Sequence, residues 1–219
     1  MPRPRGARDA DYEAKRRALL RKMTQRITRR EVARPSLRQL ADSAGVSVPT
    51  LRHYFGDRTE VVEAMLDEYR RQGEERLKWV ATPQGGFATS VRQFCYSMIA
   101  GMTAPMAVRL GDVFAVGLAE GLLDPGIGPA ALRHIVDPAV DACQARLQAH
   151  IDRGEMIATD TRAAALMLLS PLLVAVLHQD QMQGASCNPV DLYGLADTLS
   201  EAFVRAYGVA VPEASLQSG

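Results

Sequence analysis

The sequence predicts an all-α protein in two parts: an N-terminal three-helix unit built around a helix-turn-helix, then a larger C-terminal helical domain. Three observations predict it. The stretch Ser36–Arg58 reads as two short capped helices around a glycine turn. The body shows no strand alternation and no repeats, only helical spacing broken by Pro and Gly. Charge is unevenly spread. Residues 1–57 carry 14 Lys and Arg against 6 Asp and Glu, a net +8, and residues 58–219 carry 12 against 19, a net −7. A basic head on an acidic body suits a head that meets a polyanion and a body that does not.

Taken in order, residues 1–10 carry three arginines and two prolines and read as a disordered basic arm. A first helix is expected over about 11–28, with Tyr12, Leu19, Met23 and Ile27 on one face and Lys15, Arg16, Arg17, Arg21, Lys22 and Arg26 supplying charge. Arg34-Pro35 bends the chain. Ser36 then caps a helix to Ala44, with Gln39 three residues on completing a capping box. Gly45 reverses the chain, since glycine takes a left-handed conformation without penalty. Ser47 caps the next helix, which tolerates Pro49 in its first turn. Leu51 and Phe55 anchor its inner side, and Ser47, Val48, Thr50, Arg52, His53 and Tyr54 point outward. Gly56 ends it, and Asp57 with Glu60 caps a long helix over about 58–80, whose polar second half reads as a strut. Thr82–Gly86 is the clearest linker.

The segment GVSVPTLRHYFGDR resembles the recognition-helix segment of the TetR family of bacterial transcriptional regulators. The resemblance rests on Ala44-Gly45, Val46, Thr50-Leu51, His53-Tyr54-Phe55 and Arg58; Pro49 stands where glycine is usual and Arg52 where tyrosine is usual. It covers about residues 12–66, and the rest agrees only in length and helical character. It implies a DNA-binding domain over 1–57, extending into the helix from 58, and an effector-binding and dimerisation domain over 58–219. It also implies a homodimer that binds a palindromic operator in double-stranded DNA and, as a repressor, is released by a small apolar or amphipathic effector; a cytoplasmic location is the default expectation from the basic N-terminus without an apolar run and the short apolar segment Ala163–Leu177.

The DNA-contact candidates are Ser36, Ser47, Val48, Pro49, Thr50, Arg52, His53, Tyr54 and Arg58. Arg52 suits guanine O6 and N7 or, alternatively, a phosphate. Thr50 suits a phosphate or a thymine methyl, and Ser47 either a phosphate or only the cap. The rings of His53 and Tyr54 either meet the backbone of DNA or pack on a neighbouring helix. Arg58 resembles the family's phosphate contact at a helix start.

In the body, helices are expected over about 87–103, 105–122, 128–153, 160–183 and 189–207, with Pro138 and Pro171 predicting kinks or a break. Phe94, Met98, Met102, Met106 and Phe114, with His134, are the ligand-pocket candidates; Ile135 and Trp79 stand beside them, and plain core is the alternative reading. Leu166, Leu169, Leu173 and Leu177 on one helix and Leu195, Leu199 and Phe203 on the last are the dimer-interface candidates, with monomer core as the alternative.

No GxSxG, HExxH, P-loop or GxGxxG occurs, and the three cysteines and four histidines lack metal-ligand spacing, so no enzyme, cofactor or metal site is expected. No apolar run follows the basic N-terminus, and Ala163–Leu177 falls short of the roughly 20 residues a bilayer needs, so no membrane partner is expected. A helix-turn-helix protein without an effector, architectural or constitutive, is the rival reading.

Overall fold

A computed structural model describes residues 5–29 and 34–209. It is all-α: the described residues contain no strand, only an isolated antiparallel bridge between Met156 and Gly208. The chain forms two compact units, and it passes between them three times. One unit is Met1–Gly73 with Pro105–Val136; the other is Glu74–Ala104 with Asp137–Gly219. The division therefore runs through the expected second domain rather than between residues 57 and 58.

The first unit holds α1 (Arg5–Ile27), α2 (Leu37–Ala44), α3 (Val48–Phe55), α4 (Arg58–Gln72), α7 (Leu110–Leu123), α8 (Gly128–Ala131) and a π-helical turn at Leu132–Val136. α1 starts six residues before the expected Asp11, within the residues assigned to a disordered arm; residues 1–4 and the expected tail 211–219 lie outside the described residues. A single apolar cluster joins Leu19, Met23 and Ile27 of α1, Leu40 and Ala44 of α2, Leu51 and Phe55 of α3, and Val61, Met65 and Leu66 of α4. Val113, Ile127 and Ala131 belong to the same cluster, so the segment 105–136 completes the core of the helix-turn-helix unit. α7 approaches closely because a Cβ on Gly117 would stand 3.2 Å from Leu66 Cδ2.

The second unit holds α5 (Glu74–Ala81), α6 (Phe87–Thr103), α9 (Asp137–Asp152), α10 (Thr161–Val176), a π-helical turn at Leu177–Gln181, α11 (Gly184–Cys187) and α12 (Leu192–Tyr207). α6 packs on α10 and α12, and α9 on α5 and α10. Phe87, Phe94, Cys95, Met98, Cys143, Leu147, Leu168, Leu169, Leu172 and Phe203 are buried. Burial pushes the Cys95 thiol up to about 12 and raises Cys143 as well. Thr161–Gln181 is long and apolar enough, by length and composition, to cross a membrane, which corrects the shorter span read from the sequence. One of its faces is nevertheless core, through Ala165, Leu168, Leu169, Leu172 and Val176.

Two boundaries depart from expectation, each for a local reason, and the break expected at Pro138 is present. The helix from Arg58 stops at Gln72, where the N–H of Gly73 bonds back to Tyr69 and Arg70, and resumes at Glu74. α6 ends at Thr103, where Ala104 before Pro105 leaves the helical region (ψ 132°), and α7 begins only at Leu110, after an extended Arg109 (ψ 149°). Pro138 falls on the second residue of α9 and is preceded by the π-helical turn. A proline clashes with the carbonyl four residues back, and a wider turn absorbs that conflict. At Pro171 the helix runs on to Val176.

Arg146, fully buried on α9, has no acidic partner among the described residues. Its guanidinium donates to the carbonyls of Val80 (2.6 Å), Thr82 (2.8 Å), Trp79 (3.4 Å) and Ser90 (3.1 Å) and to Ser90 Oγ (2.7 Å). A cation set on the last carbonyls of α5 suits the negative end of a helix. Arg146→Leu strands these acceptors and is expected to lower unfolding free energy by about 3 kcal/mol in a urea titration. The exposed Arg205→Leu should stay within about 0.5 kcal/mol of the original.

Candidate nucleic-acid interface

Each end of the two short helices is fixed by a bond the sequence encodes locally. Ser36 Oγ accepts from Gln39 N at 3.3 Å and Gln39 Oε1 accepts from Ser36 N at 2.8 Å, closing the capping box. At the turn Gly45 takes φ 74°, and the N–H groups of Gly45 and Val46 donate to Asp42 and Ala41. Ser47 Oγ accepts from Thr50 N at 3.2 Å and lies 2.8 Å from Thr50 Oγ1. Gly56 takes φ 80° at the end of α3, and Asp57 with Glu60 forms a second capping box at α4.

α1 braces this pair from behind. Lys22 Nζ donates to Ala44 O at 3.2 Å, at the end of α2, and Arg16 Nε donates to Tyr54 O at 3.4 Å, near the end of α3. The Arg16 guanidinium also sits over the Phe55 ring, 4.8 Å from its centre. Two of the six basic side chains named on this helix, Arg16 and Lys22, thus sit at helix C-termini.

With Leu51 and Phe55 buried, Ser47, Pro49, Arg52 and His53 are exposed and Val48 and Thr50 half-buried. Arg52 makes no hydrogen bond or ion pair with any described residue, so its five donors face solvent. His53 is exposed, edge-on to Tyr12 and Tyr54. The Tyr54 ring stacks on Tyr12 at 4.7 Å with Lys15 over it, the packed alternative left open by the sequence. Ser36 is exposed, its hydroxyl engaged in the cap.

Arg58, which the sequence offers for a phosphate, is engaged within the protein in this structure. Its Nη1 donates to Glu120 Oε2 at 2.9 Å, its Nη2 to Glu120 Oε1, and its Nε to Pro35 O at 2.8 Å. Glu120, buried on α7, also accepts from Arg34 Nε at 2.9 Å. Arg34 itself takes φ 52°, a left-handed conformation that costs a non-glycine residue about 1–2 kcal/mol. Burial raises the Glu120 pKa, but the hydrogen bonds and charges of Arg58 and Arg34 outweigh it and hold the carboxyl below its ordinary value. Sequence reading missed Glu120. The available signal was an acid inside the apolar run FAVGLAEGLL, where a buried charge demands a partner.

The pocket candidates do not share one lining. Phe94, Met98 and Met102 are buried on α6 in the second unit, and Met106 is exposed in the first. His134 lies 3.7 Å from Glu63 Oε1 and 3.5 Å from Asp67 Oδ1, on α4. Phe114 lines an apolar cavity of about 220 Å³ in the first unit with Gly117, Leu118, Gly121, Leu122, Gly128, Ala131, Leu132, Ile135 and Val136. Of the dimer candidates, Leu169 and Phe203 are core and Leu173, Leu177, Leu195 and Leu199 half-buried. Leu166 is exposed, beside Met167 and Val174, which sequence reading had not assigned to the interface.

No family model matches this sequence, and no curated protein matches it. Solved structures do. A Mesorhizobium loti protein assigned to the TetR family of transcriptional regulators is 20% identical, with 94% of this chain and 100% of that chain covered and a TM-score of 0.72. FadR, a transcriptional regulator of Bacillus subtilis in complex with stearoyl-CoA, is 16% identical over 85% of this chain and 96% of that one, with a TM-score of 0.65. SmeT, repressor of the Stenotrophomonas maltophilia multidrug efflux pump SmeDEF, is 19% identical over 90% and 94%, with a TM-score of 0.62; it has also been solved with triclosan. At these identities the likeness establishes the fold: the chain has the all-helical fold of TetR-family regulators.

A carboxylate with a lowered pKa contributes stability above its unfolded pKa, and that contribution disappears as pH falls through its folded value. Thermal midpoints of the protein and of Glu120→Gln are therefore expected to differ at neutral pH and to converge as pH drops below the ordinary 4.5.

Proposed function

We propose that this chain is a ligand-responsive transcriptional regulator of the TetR family, a cytoplasmic homodimer that represses by binding a palindromic operator. The observation that carries the reading is α3: an eight-residue helix with Leu51 and Phe55 buried behind it and Arg52 unpartnered in front. A helix so held fits the DNA major groove, where a guanidinium grips guanine O6 and N7. Ser47, Val48, Pro49, Thr50 and His53 complete the face, and Ser36 stands at the start of the preceding helix. Tyr54 contributes by holding α3 on α1.

The effector site we place at the cavity lined by Phe114. Its walls are apolar and its volume of about 220 Å³ suits a compact, uncharged molecule. SmeT with triclosan and FadR with stearoyl-CoA are precedents for ligands on this fold. Binding there would shift the spacing of the two heads away from one helical repeat of DNA. The dimer surface we place on the outer face of α10, through Leu166, Met167 and Val174, flanked by Leu173 and Leu177 and by Leu195 and Leu199 of α12. Leu169 and Phe203 belong to the core beneath it.

Selection from a pool of random duplexes tests the reading: one short palindrome should be enriched, and enrichment of no sequence over another would refute it. Arg52→Ala should then cut discrimination at one base pair per half-site by about 1–3 kcal/mol, with scrambled DNA bound nearly as before. Equal loss on both duplexes would leave Arg52 a phosphate contact. Val174→Asp, on a side chain 64% exposed, should leave the monomer folded and halve the mass seen by light scattering.

A further inference from the structure

Glu120 stands out among the charged groups of the helix-turn-helix unit. Its side chain is 7% exposed, and both carboxylate oxygens are bound by arginines that bracket the reading helices in sequence. Arg34 precedes α2, and Arg58 opens α4 and carries the Pro35 carbonyl on its third donor. One acid on α7 therefore fixes the points where the chain enters and leaves the pair α2–α3. Asp124, one turn further, adds bonds to Arg34 (3.4 Å) and Thr59 (3.5 Å).

We propose that Glu120 is a positioning residue for DNA reading: it withholds Arg58 from the DNA backbone and uses it to set the pose of α2 and α3 against α7. The inference rests on the regulator reading above. Two arguments carry it. A phosphate could take Arg58 only by breaking two bonds to a buried carboxylate and leaving it to Arg34 alone, and a half-paired buried charge costs more than an exposed phosphate contact returns. The arrangement also has a use. Gly117 and Gly121, on the same helix as Glu120, line the apolar cavity, so a displacement of α7 by a ligand reaches both ends of the reading pair through this one side chain.

The test uses the full chain, the selected palindrome and a scrambled duplex of equal length, titrated at several salt concentrations, with amide hydrogen exchange on the free protein. Glu120→Gln should weaken binding to the palindrome at least tenfold, change the scrambled duplex less than twofold and leave the salt slope unaltered. Amides of residues 36–44 and 58–62 should exchange faster. Arg58→Lys keeps the charge but loses the fork, and it should reproduce the same pattern, whereas a phosphate contact would survive the exchange of one cation for another. Tighter binding of Glu120→Gln to both duplexes with a steeper salt slope would overturn the proposal, because Arg58 and Arg34 would then have been released onto phosphates. Equal loss on both duplexes would also overturn it, as damage to the fold rather than to the pose. If the unaltered protein fails to discriminate the duplexes, the regulator reading falls by itself. The exchange data then decide about Glu120 separately, and wild-type rates in Glu120→Gln refute the clamp.

Discussion

An eight-residue helix has no stability of its own in water, since helix nucleation is unfavourable and short helices are marginal even in favourable sequences. α3 is such a helix, and the function proposed for it forbids the usual remedy of covering it on all sides. Everything around α3 answers this constraint. Ser47 and Gly56 fix its ends, Leu51 and Phe55 take its inner face into the apolar cluster, and Arg16 of α1 reaches the carbonyl of Tyr54 at its end. None of these supports uses the outer face. Rigidity comes from behind and from the two ends, which leaves Arg52 bare.

The cations of the head divide the same way. A net +8 over residues 1–57 suggests a broad electrostatic footprint, but the charges are not equivalent. Arg16 and Lys22 neutralise helix C-termini, and Arg34, with Arg58 just beyond, neutralises Glu120. Each of these has already exchanged water for a protein acceptor. Counterion release on binding DNA counts phosphates actually neutralised, so formal charge overstates it. Arg52 belongs to the remainder, where charge is still available.

How much of this could be read from the sequence follows from how local each cause is. The capping boxes at Ser36 and Asp57, the left-handed Gly45 and the apolar anchors Leu51 and Phe55 each depend on residues within four positions, and all were legible. The placement of 105–136 with the head was not, because it depends on contacts such as Gly117 against Leu66, 51 positions apart in the chain. The pairing of Arg58 was hidden for the same reason: its partner lies 62 residues away, and nothing near Arg58 announces it. A Met and aromatic pattern on α6 could not distinguish core from cavity lining, since both are apolar; Phe94 and Met98 turned out buried in the second unit. On α10 the sequence showed apolar residues all round, and only the structure separates Leu169, facing inward, from Val174, facing out.

A buried ion pair is poor evidence of stability, since well-packed apolar residues of the same volume often serve as well or better. Its retention at Glu120 is easier to understand as specification of geometry. Apolar contacts are non-directional and by themselves select only weakly among neighbouring positions of α7 against α4. A carboxylate holding the fork of Arg58 is satisfied in very few. The left-handed backbone at Arg34 works in the same direction, as it persists only while its side chain is held. An element with few permitted positions is what a ligand must act on if it is to change DNA binding, because a population shift requires distinct states with different affinities.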